Sequence, residues 1–336
     1  MKKIAIILTF LIISGFGIIL GIPIGILSEN LSSYDIFNES LSFEYLPGTP
    51  SSVETLNLNV ELGNIEIKYV DPPVNYYAKI DVYIEMAGAG LAGKDCFNYF
   101  IISEGNLTDS PIQFSMRLFP DISDIEVDSL IKEVSIVVNL KKGIIFDISV
   151  NVIDGNVDLN IPFNVCTKNL NVSTINGNIL FSLTKCILDG NITITGNQSD
   201  IELRTWNVQY SRDCLWDLSN HEGIIKFNIF QSKESGANVT GFGESVNGIV
   251  HIVYTDETNA VGAWFKMIDY TLWICDENYP DEYDHDDWGF FFNDELDSGH
   301  EITSHDFPAS SNYNISLYTQ RDGRCAWLWN LNNIPE

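Results

Sequence analysis

A short unit of strand, glycine corner and strand recurs along this chain and narrows its possible folds more than any other feature. It reads LNVELGNIEI around Gly63, SVNVIDGNVDL around Gly155, NVSTINGNILF around Gly177 and CILDGNITI around Gly190. Looser copies are SNHEGIIKF around Gly223 and ESVNGIVHI around Gly248. On both sides of each glycine, apolar residues alternate with polar ones, the period-2 signature of a half-buried strand. Glycine supplies the positive φ of a tight corner. The asparagine that follows it in the first four copies tolerates turn geometry and bonds neighbouring backbone.

From Val53 onward no clear amphipathic helix interrupts this pattern, with Ser123–Val134 the one weak candidate. The chain therefore reads as all-β. Stacked units would form a β-solenoid over residues 53–255, with asparagines laddered at the corners. If Asn176-Gly177 and Asn247-Gly248 were hairpin turns instead, the result would be a sandwich or meander. The return of one corner in one sequence context favours the β-solenoid.

VSIVVNLKKGIIFDISVNVIDGNVDLNIP and NLNVSTINGNILFSL are similar to the putative-adhesin family of bacterial and archaeal β-solenoid domains. The resemblance implies a right-handed solenoid-like β fold and a cell-envelope setting, and it implies no catalytic residues. The 92 residues from Gly63 to Gly155 lack the motif and depart from that pattern, which leaves room for irregular rungs or an inserted sheet.

Lys2 and Lys3 precede Ile4–Leu27, 24 residues without a charge. A helix needs about 20 such residues to cross a bilayer core. A cleavable signal has a shorter apolar region and a small-x-small site, which the position after Ser28 matches poorly. Residues 1–28 are read as an uncleaved signal anchor, a single transmembrane helix, with secretion after cleavage as the alternative. Residues 28–67 hold seven acids and no Lys or Arg, so charge asymmetry places the N-terminus in the cytoplasm and the bulk outside. Residues 29–52 end in LPGTPSS and read as a linker. N-x-S/T sequons at Asn30, Asn38, Asn106, Asn171, Asn191, Asn197, Asn238 and Asn314 fit an exposed ectodomain, glycosylated if the host does so.

Six cysteines, none in a CxxC pair, argue against zinc and thioredoxin chemistry. Outside the cytoplasm they imply disulfides. Cys166 and Cys186 lie 20 residues apart, close to one rung, and are the first pair expected. Cys275 with Cys325 would tie the C-terminal module, leaving Cys96 with Cys214 by elimination.

The formal net charge is −28, from 46 acids and 18 bases, which repels phosphate backbones and excludes nucleic acid as a partner. Nucleotides are excluded on context. GAGLAGK at Gly88–Lys94 satisfies G-x-G-x-x-G, but no buried strand precedes it, no helix follows, and Asp95 stands where a P-loop needs a hydroxyl. Gly243-Glu-Ser245-Val-Asn247 fails the nucleophile elbow at its last position, and the five histidines form no H-E-x-x-H.

After residue 255 the character changes. Residues 262–336 hold 15 aromatics and five of the seven tryptophans. Residues 256–336 are read as an acidic, aromatic-rich β cap or a small second β domain. Trp264, Trp273, Trp288, Trp327 and Trp329 are either sugar-stacking platforms or the core of that cap. In the acid run Asp276–Asp287, a loop opened by Pro280 offers Asp281, Glu282, Asp284, Asp286 and Asp287 as oxygen ligands for calcium, the competing reading being a solvated acidic loop. No other cofactor is expected.

Together these features describe a non-catalytic cell-envelope protein, anchored through residues 4–27, with a structural role or adhesin-like binding of a surface glycan or protein. One alternative is a polysaccharide-acting β-helix enzyme, which needs a carboxylate pair the sequence does not single out. Another is a ligand-binding sensor; with only Met1–Lys3 ahead of the span, it needs a partner membrane protein.

Overall fold

The computed structural model describes residues 34–48, 51–89, 95–119, 130–255, 261–268, 272–274, 290–293, 300–304, 308–319 and 326–330. The anchor run 4–27, Asn30, Trp288, Cys275, Cys325 and the calcium candidates Asp281, Glu282, Asp284, Asp286 and Asp287 lie outside them. Among the described residues no helix is long and apolar enough to cross a membrane. None of their His, Cys, Asp and Glu form a group of three or more that could hold a metal ion.

The described elements are strands, with one turn of 3₁₀ helix at Cys96–Tyr99. The first group is β1 (Tyr34–Tyr45), β2 (Glu54–Leu62), β3 (Asn64–Val70), β4 (Ala78–Ala89), β5 (Phe100–Ser103), β6 (Ile112–Leu118) and β7 (Ile131–Lys141). The repeating part runs through β8 (Phe146–Asp154), β9 (Val157–Ile161), β10 (Cys166–Asn176), β11 (Ile179–Thr184), β12 (Ile187–Leu188), β13 (Ile192–Gln198), β14 (Ile201–Trp206), β15 (Gln209–Tyr210), β16 (Cys214–Glu222), β17 (Ile224–Phe230), β18 (Val239–Ser245) and β19 (Ile249–Thr255). The last group is β20 (Gly262–Ile268), β21 (Leu272–Ile274), β22 (Phe290–Asn293), β23 (His300–Ser304), β24 (Asn312–Thr319) and β25 (Ala326–Asn330).

In the repeating part the main strands alternate between two parallel sheets. β8, β10, β13, β16 and β18 lie side by side in one. β9, β11, β14, β17 and β19 lie side by side in the other. A strand thus pairs with the strand one circuit later, not with its chain neighbour, so Asn176-Gly177 and Asn247-Gly248 are corners rather than hairpins. A short third side pairs Cys166–Thr167 with β12, and β12 with β15.

This register stacks like-facing residues into columns. Ile148, Leu170, Ile192 and Trp216 form one inward column, and Val157, Ile179, Ile201, Ile225 and Val250 form another. All nine are buried and form part of one continuous apolar core. At roughly 25 cal/mol per Å² of apolar surface removed from water, these columns dominate the stabilisation.

The glycine corners stack as well. Gly63, Gly155 and Gly177 have φ of 141°, 151° and 135°. A Cβ on Gly155 would overlap the Gly63 carbonyl oxygen, one on Gly177 the Gly155 oxygen, and one on Gly248 the Gly223 oxygen. The asparagines beside them form the expected ladder. Asn156 N–H donates to Asn64 Oδ1 at 2.9 Å, Asn178 N–H to Asn156 Oδ1 at 2.7 Å, and Asp200 N–H to Asn178 Oδ1 at 3.2 Å.

Two corner assignments change. Gly190 lies only 13 residues after Gly177, whereas the ladder partners Asn156 and Asn178 are 22 apart, so Gly190 cannot be the next copy of the same corner. It sits over Asn169 at a different bend, within a second ladder where Asn191 N–H donates to Asn169 Oδ1 and Leu215 N–H to Asn191 Oδ1, both at 3.0 Å. The place expected for Gly190 is taken by Ser199, whose carbonyl lies against Gly223.

Both ends break the order of the stack. β6 and β7 pair with the far sides of β2 and β3, so the earlier pair is enclosed between β6–β7 and β8–β9. This accounts for the motif-free interval before Gly155. β4 returns antiparallel between β1 and β7, and β5 pairs antiparallel with β6. The sheets also continue past residue 255: β24 lies between β18 and β20, and β25 between β19 and β21. β23 adds antiparallel to β20, and β22 to β23.

Part of the expected linker is a strand. β1 pairs with β4 along all twelve residues; Phe37 and Phe43 pack against the core and Tyr45 is fully buried. The Ser and Asn of this segment fall between those apolar positions, which is why it read as polar linker.

The four described cysteines are free. The expected Cys166–Cys186 bridge fails on register. Cys166 is paired with Ile187, so Cys186 stands one position out of phase. Cys186 is fully buried while Cys166 is half-buried, and strand neighbours one residue apart point to opposite faces. Cys96 and Cys214 are also unbridged: Cys96 lies against Phe37 and Ile84, Cys214 against Gly190, with β2, β8, β10 and β13 between the two regions. Burial pushes both the Cys186 and Cys214 thiols up to about 12, which makes them poor nucleophiles.

Candidate functional site

With one core serving both sheets, function has to be sought on their outer faces. The face built from β2, β6, β8, β10 and β13 carries amides and hydroxyls. One outward column is Gln113, Asn57, Ser149, Asn171 and Thr193. The next is Ser115, Asn59, Asn151, Ser173 and Thr195. A shallow depression of about 300 Å³ lies there, rimmed by Asn57, Asn59, Gln113 and Ser149. Its aromatic neighbour Phe114 is buried, so this depression offers hydrogen bonds but no exposed ring.

The opposite face is built differently. β14 reads I-E-L-R-T-W, with Ile201, Leu203 and Thr205 buried and Glu202, Arg204 and Trp206 turned outward. Trp206 is 51 % exposed, although burying it would remove a large apolar surface from water. Its register partners are Thr184 on β11 and Phe230 on β17. The Trp206 and Phe230 rings meet edge to face with centroids 5.3 Å apart. The Lys185 ammonium lies 5.6 Å from the centre of the Trp206 ring. Beside this pair is a depression of about 340 Å³, lined by Ser182, Thr184, Arg204, Trp206, Asn228 and Phe230 among others.

The backbone that holds this shelf is strained. Lys185 has φ of +48°, and Asn164 and Asn207 at the equivalent bends have +62° and +50°. This left-handed region suits glycine and asparagine, and a lysine there costs about 1 kcal/mol or more. Backbone bonds hold the bend in place: Lys185 N–H donates to Trp206 O at 2.7 Å, and Asn207 N–H to Phe230 O at 2.8 Å.

Charge around the shelf is organised by Glu202. Arg204 donates to both of its carboxylate oxygens at 2.8 Å. Asn228 also donates to it, and the Lys226 ammonium lies 3.9 Å away. Asp158 lies two strands from Glu202, across Leu180, and burial followed by the nearby Glu66 raises its carboxyl above the usual range.

Of the tryptophans singled out in the sequence, Trp273, Trp327 and Trp329 fall on the adjacent strands β21 and β25, and Trp264 lies in the other sheet. Trp264 is half-buried on β20; Trp273 and Trp327 are register partners on β21 and β25; Trp329 is the partner of Val253. Trp206, Phe230 and Lys185 are dispersed in sequence and meet only through the pairing of β11, β14 and β17, so no local cluster marks them. The signal was present: in I-E-L-R-T-W the tryptophan falls on the outward phase. Ser245 of the failed nucleophile motif is fully buried.

Four sequons follow from the same phase rule. In Asn171-Val172-Ser173, Asn191-Ile192-Thr193, Asn238-Val239-Thr240 and Asn314-Ile315-Ser316 the middle residue is buried in the core. Strand alternation alone therefore writes N-x-S/T wherever an outward Asn meets an outward hydroxyl two positions later. Asn191 and Asn238 accept backbone N–H bonds in the corner ladder, from Leu215 and Asn312, both at 3.0 Å. Asn106 accepts from Thr108 N–H within a turn, while Asn38 lies on β1 and Asn197 on β13.

No protein family matches the chain by sequence, and neither does any curated protein. Among solved structures it is similar to a putative cell adhesion protein from Clostridium sporogenes, at 11 % identity and a TM-score of 0.38, covering 88 % of this chain and 99 % of that one. A putative adhesin from Bacteroides fragilis shares 7 % identity with a TM-score of 0.35, covering 89 % and 99 %. A putative lipid binding protein from Parabacteroides distasonis shares 12 % identity with a TM-score of 0.32, covering 86 % and 96 %. At such scores these likenesses carry no weight for what this chain does.

Proposed function

We propose that the chain is a non-catalytic binding protein of the cell envelope. In this reading it is a β-solenoid held outside the membrane by residues 4–27, and it binds glycan on the shelf formed by Trp206 and Phe230. The observation that carries the reading is the half-exposed Trp206 beside a depression lined by Ser182, Thr184, Arg204 and Asn228. A sugar ring presents an apolar C–H face and a rim of hydroxyls. An aromatic ring matches the first, and guanidinium, amide and hydroxyl groups match the second.

Glu202 fits binding better than hydrolysis. A general acid must hold and release a proton, and Glu202 is engaged by Arg204 and Asn228 as an acceptor. The test is a glycan array probed with the full chain and with Trp206→Ala. Binding to one group of glycans that the substitution removes supports the reading. Equal binding by both proteins, or no binding to any glycan, contradicts it.

A further inference from the structure

We infer that the glycan held by the Trp206 shelf is acidic, a polysaccharide whose sugars carry carboxylates; this rests on the glycan reading above. The chain as a whole has a net charge of −28, yet the bases named at the shelf, Lys185, Arg204 and Lys226, outnumber the one acid among them, Glu202. Arg204 and Glu202 neutralise each other in a two-bond pair. That leaves Lys185 as the cation at the aromatic pair, with Lys226 four residues before Phe230 on β17 and beside Glu202.

The global charge does not overrule this local excess. At physiological salt, interactions between exposed charges fade over about 8 Å. Among the described residues the next acid along this face is Asp158, two strands from Glu202; it acts on Arg204, and with it counted the three bases still outnumber the two acids. Glu66 lies one strand further and pairs with Lys68. Across the other side of the shelf the partner of Lys226 is His251, whose protonation burial and Lys226 both disfavour.

Geometry separates the roles. Lys185 lies over the ring of Trp206, so a sugar stacked on the exposed part of that ring brings a ring-borne carboxylate near the ammonium. A Lys–carboxylate pair at the surface is weak alone, but a polymer that repeats the carboxylate on each residue restores its occupancy. Lys185 also occupies a bend whose φ of +48° favours Gly or Asn, so the turn itself does not ask for a lysine.

The test is titration calorimetry of the full chain with polygalacturonate, its fully methyl-esterified form and dextran. The inference expects polygalacturonate to bind about five-fold more tightly than its ester, the upper end for one exposed ion pair. Lys185→Gln should bring the ratio of polygalacturonate to ester affinity close to one, and Trp206→Ala should weaken both by at least about ten-fold. Raising NaCl from about 0.05 to 0.5 M should erase the acid preference only, through screening. Trp206→Phe, which keeps a ring at the site, should recover most of the binding and guards against misfolding of the alanine variant. If acid and ester bind equally and both depend on Trp206, the acidic ligand is wrong and the glycan shelf stands. If no polymer binds, or binding ignores Trp206, both readings fall.

Discussion

The two outer faces of this stack share one core and one register but were filled by different rules. On the face of β2, β8, β10 and β13, position after position is Asn, Ser or Thr: Asn57, Ser149, Asn171 and Thr193, then Asn59, Asn151, Ser173 and Thr195. On the face of β11, β14 and β17 the outward residues are Leu180, Ser182, Thr184, Glu202, Arg204, Trp206, Ile224, Lys226, Asn228 and Phe230. The first rule suits solvent and strand pairing: Ser173 donates to Asn151 at 2.7 Å on the neighbouring strand, and nothing more is asked. The second spends stability, exposing a tryptophan and straining the bend at Lys185. Where a repeat departs from its cheapest filling, function is the first explanation to try.

The largest expected effect tests what the faces share. Trp216 is fully buried, stacked on Phe227 with centroids 6.2 Å apart, and it sits between both sheets. Trp216→Ala should destabilise the chain by about 3–5 kcal/mol in a denaturant titration. Binding at the shelf should be lost with it, because the two faces have no separate cores. A shift confined to one face, seen by residue-resolved exchange, would show the sheets to be independent.

Corner and ladder substitutions sharpen the comparison at a smaller scale. Asn156 Oδ1 accepts from Asn178 N–H, whereas the bond to Asn64 comes from the Asn156 backbone and survives substitution, so Asn156→Ala removes one ladder bond and should cost about 1 kcal/mol in chemical denaturation. Lys185→Gly acts in the opposite direction. Its bend has φ of +48°, so glycine should raise stability by up to about 1 kcal/mol while acid-glycan binding falls. A variant that gains stability and loses binding separates a functional lysine from a structural one. Parallel loss of both would return Lys185 to the scaffold.

The smallest effects mark the faces themselves. Asn171→Ser on the amide face should change stability by no more than about 0.5 kcal/mol and leave binding unchanged. Asp158→Asn should be neutral or slightly stabilising at pH 7. Burial raises the Asp158 carboxyl, so the folded state favours its neutral form, and stability is lost as pH rises through the folded value. The advantage of asparagine should therefore vanish below about pH 4, where the acid is neutral in both states. Thermal melts across pH check both variants.

Much of the architecture was legible because glycine is obligatory where backbones approach. Gly63, Gly155, Gly177, Gly223 and Gly248 could all be found from sequence, and the ladder of Asn64, Asn156 and Asn178 with them. Ser199 was invisible because its bend keeps φ out of the left-handed region and needs no special residue. Gly190 misled because it makes a close approach of its own, to Asn169, at another corner. The out-of-order pairs at the ends left no local trace, since β2–β3 and β24–β25 alternate like any other strands and only long-range pairing sets their place. The site was legible in principle from the outward phase of Trp206. Its cation and its ring partner were not, because Lys185 and Phe230 join it only through the register of neighbouring strands.

The central claim, that binding belongs to one face, is tested most directly by hydrogen–deuterium exchange of the full chain with and without saturating polygalacturonate. The account predicts slower exchange in the bends flanking the shelf, around Thr184–Lys185, Trp206–Asn207 and Phe230–Gln231, with β8, β10 and β13 unchanged. Protection centred on Asn57, Ser149 and Asn171, or bound polymer with no protection near Trp206, would contradict it.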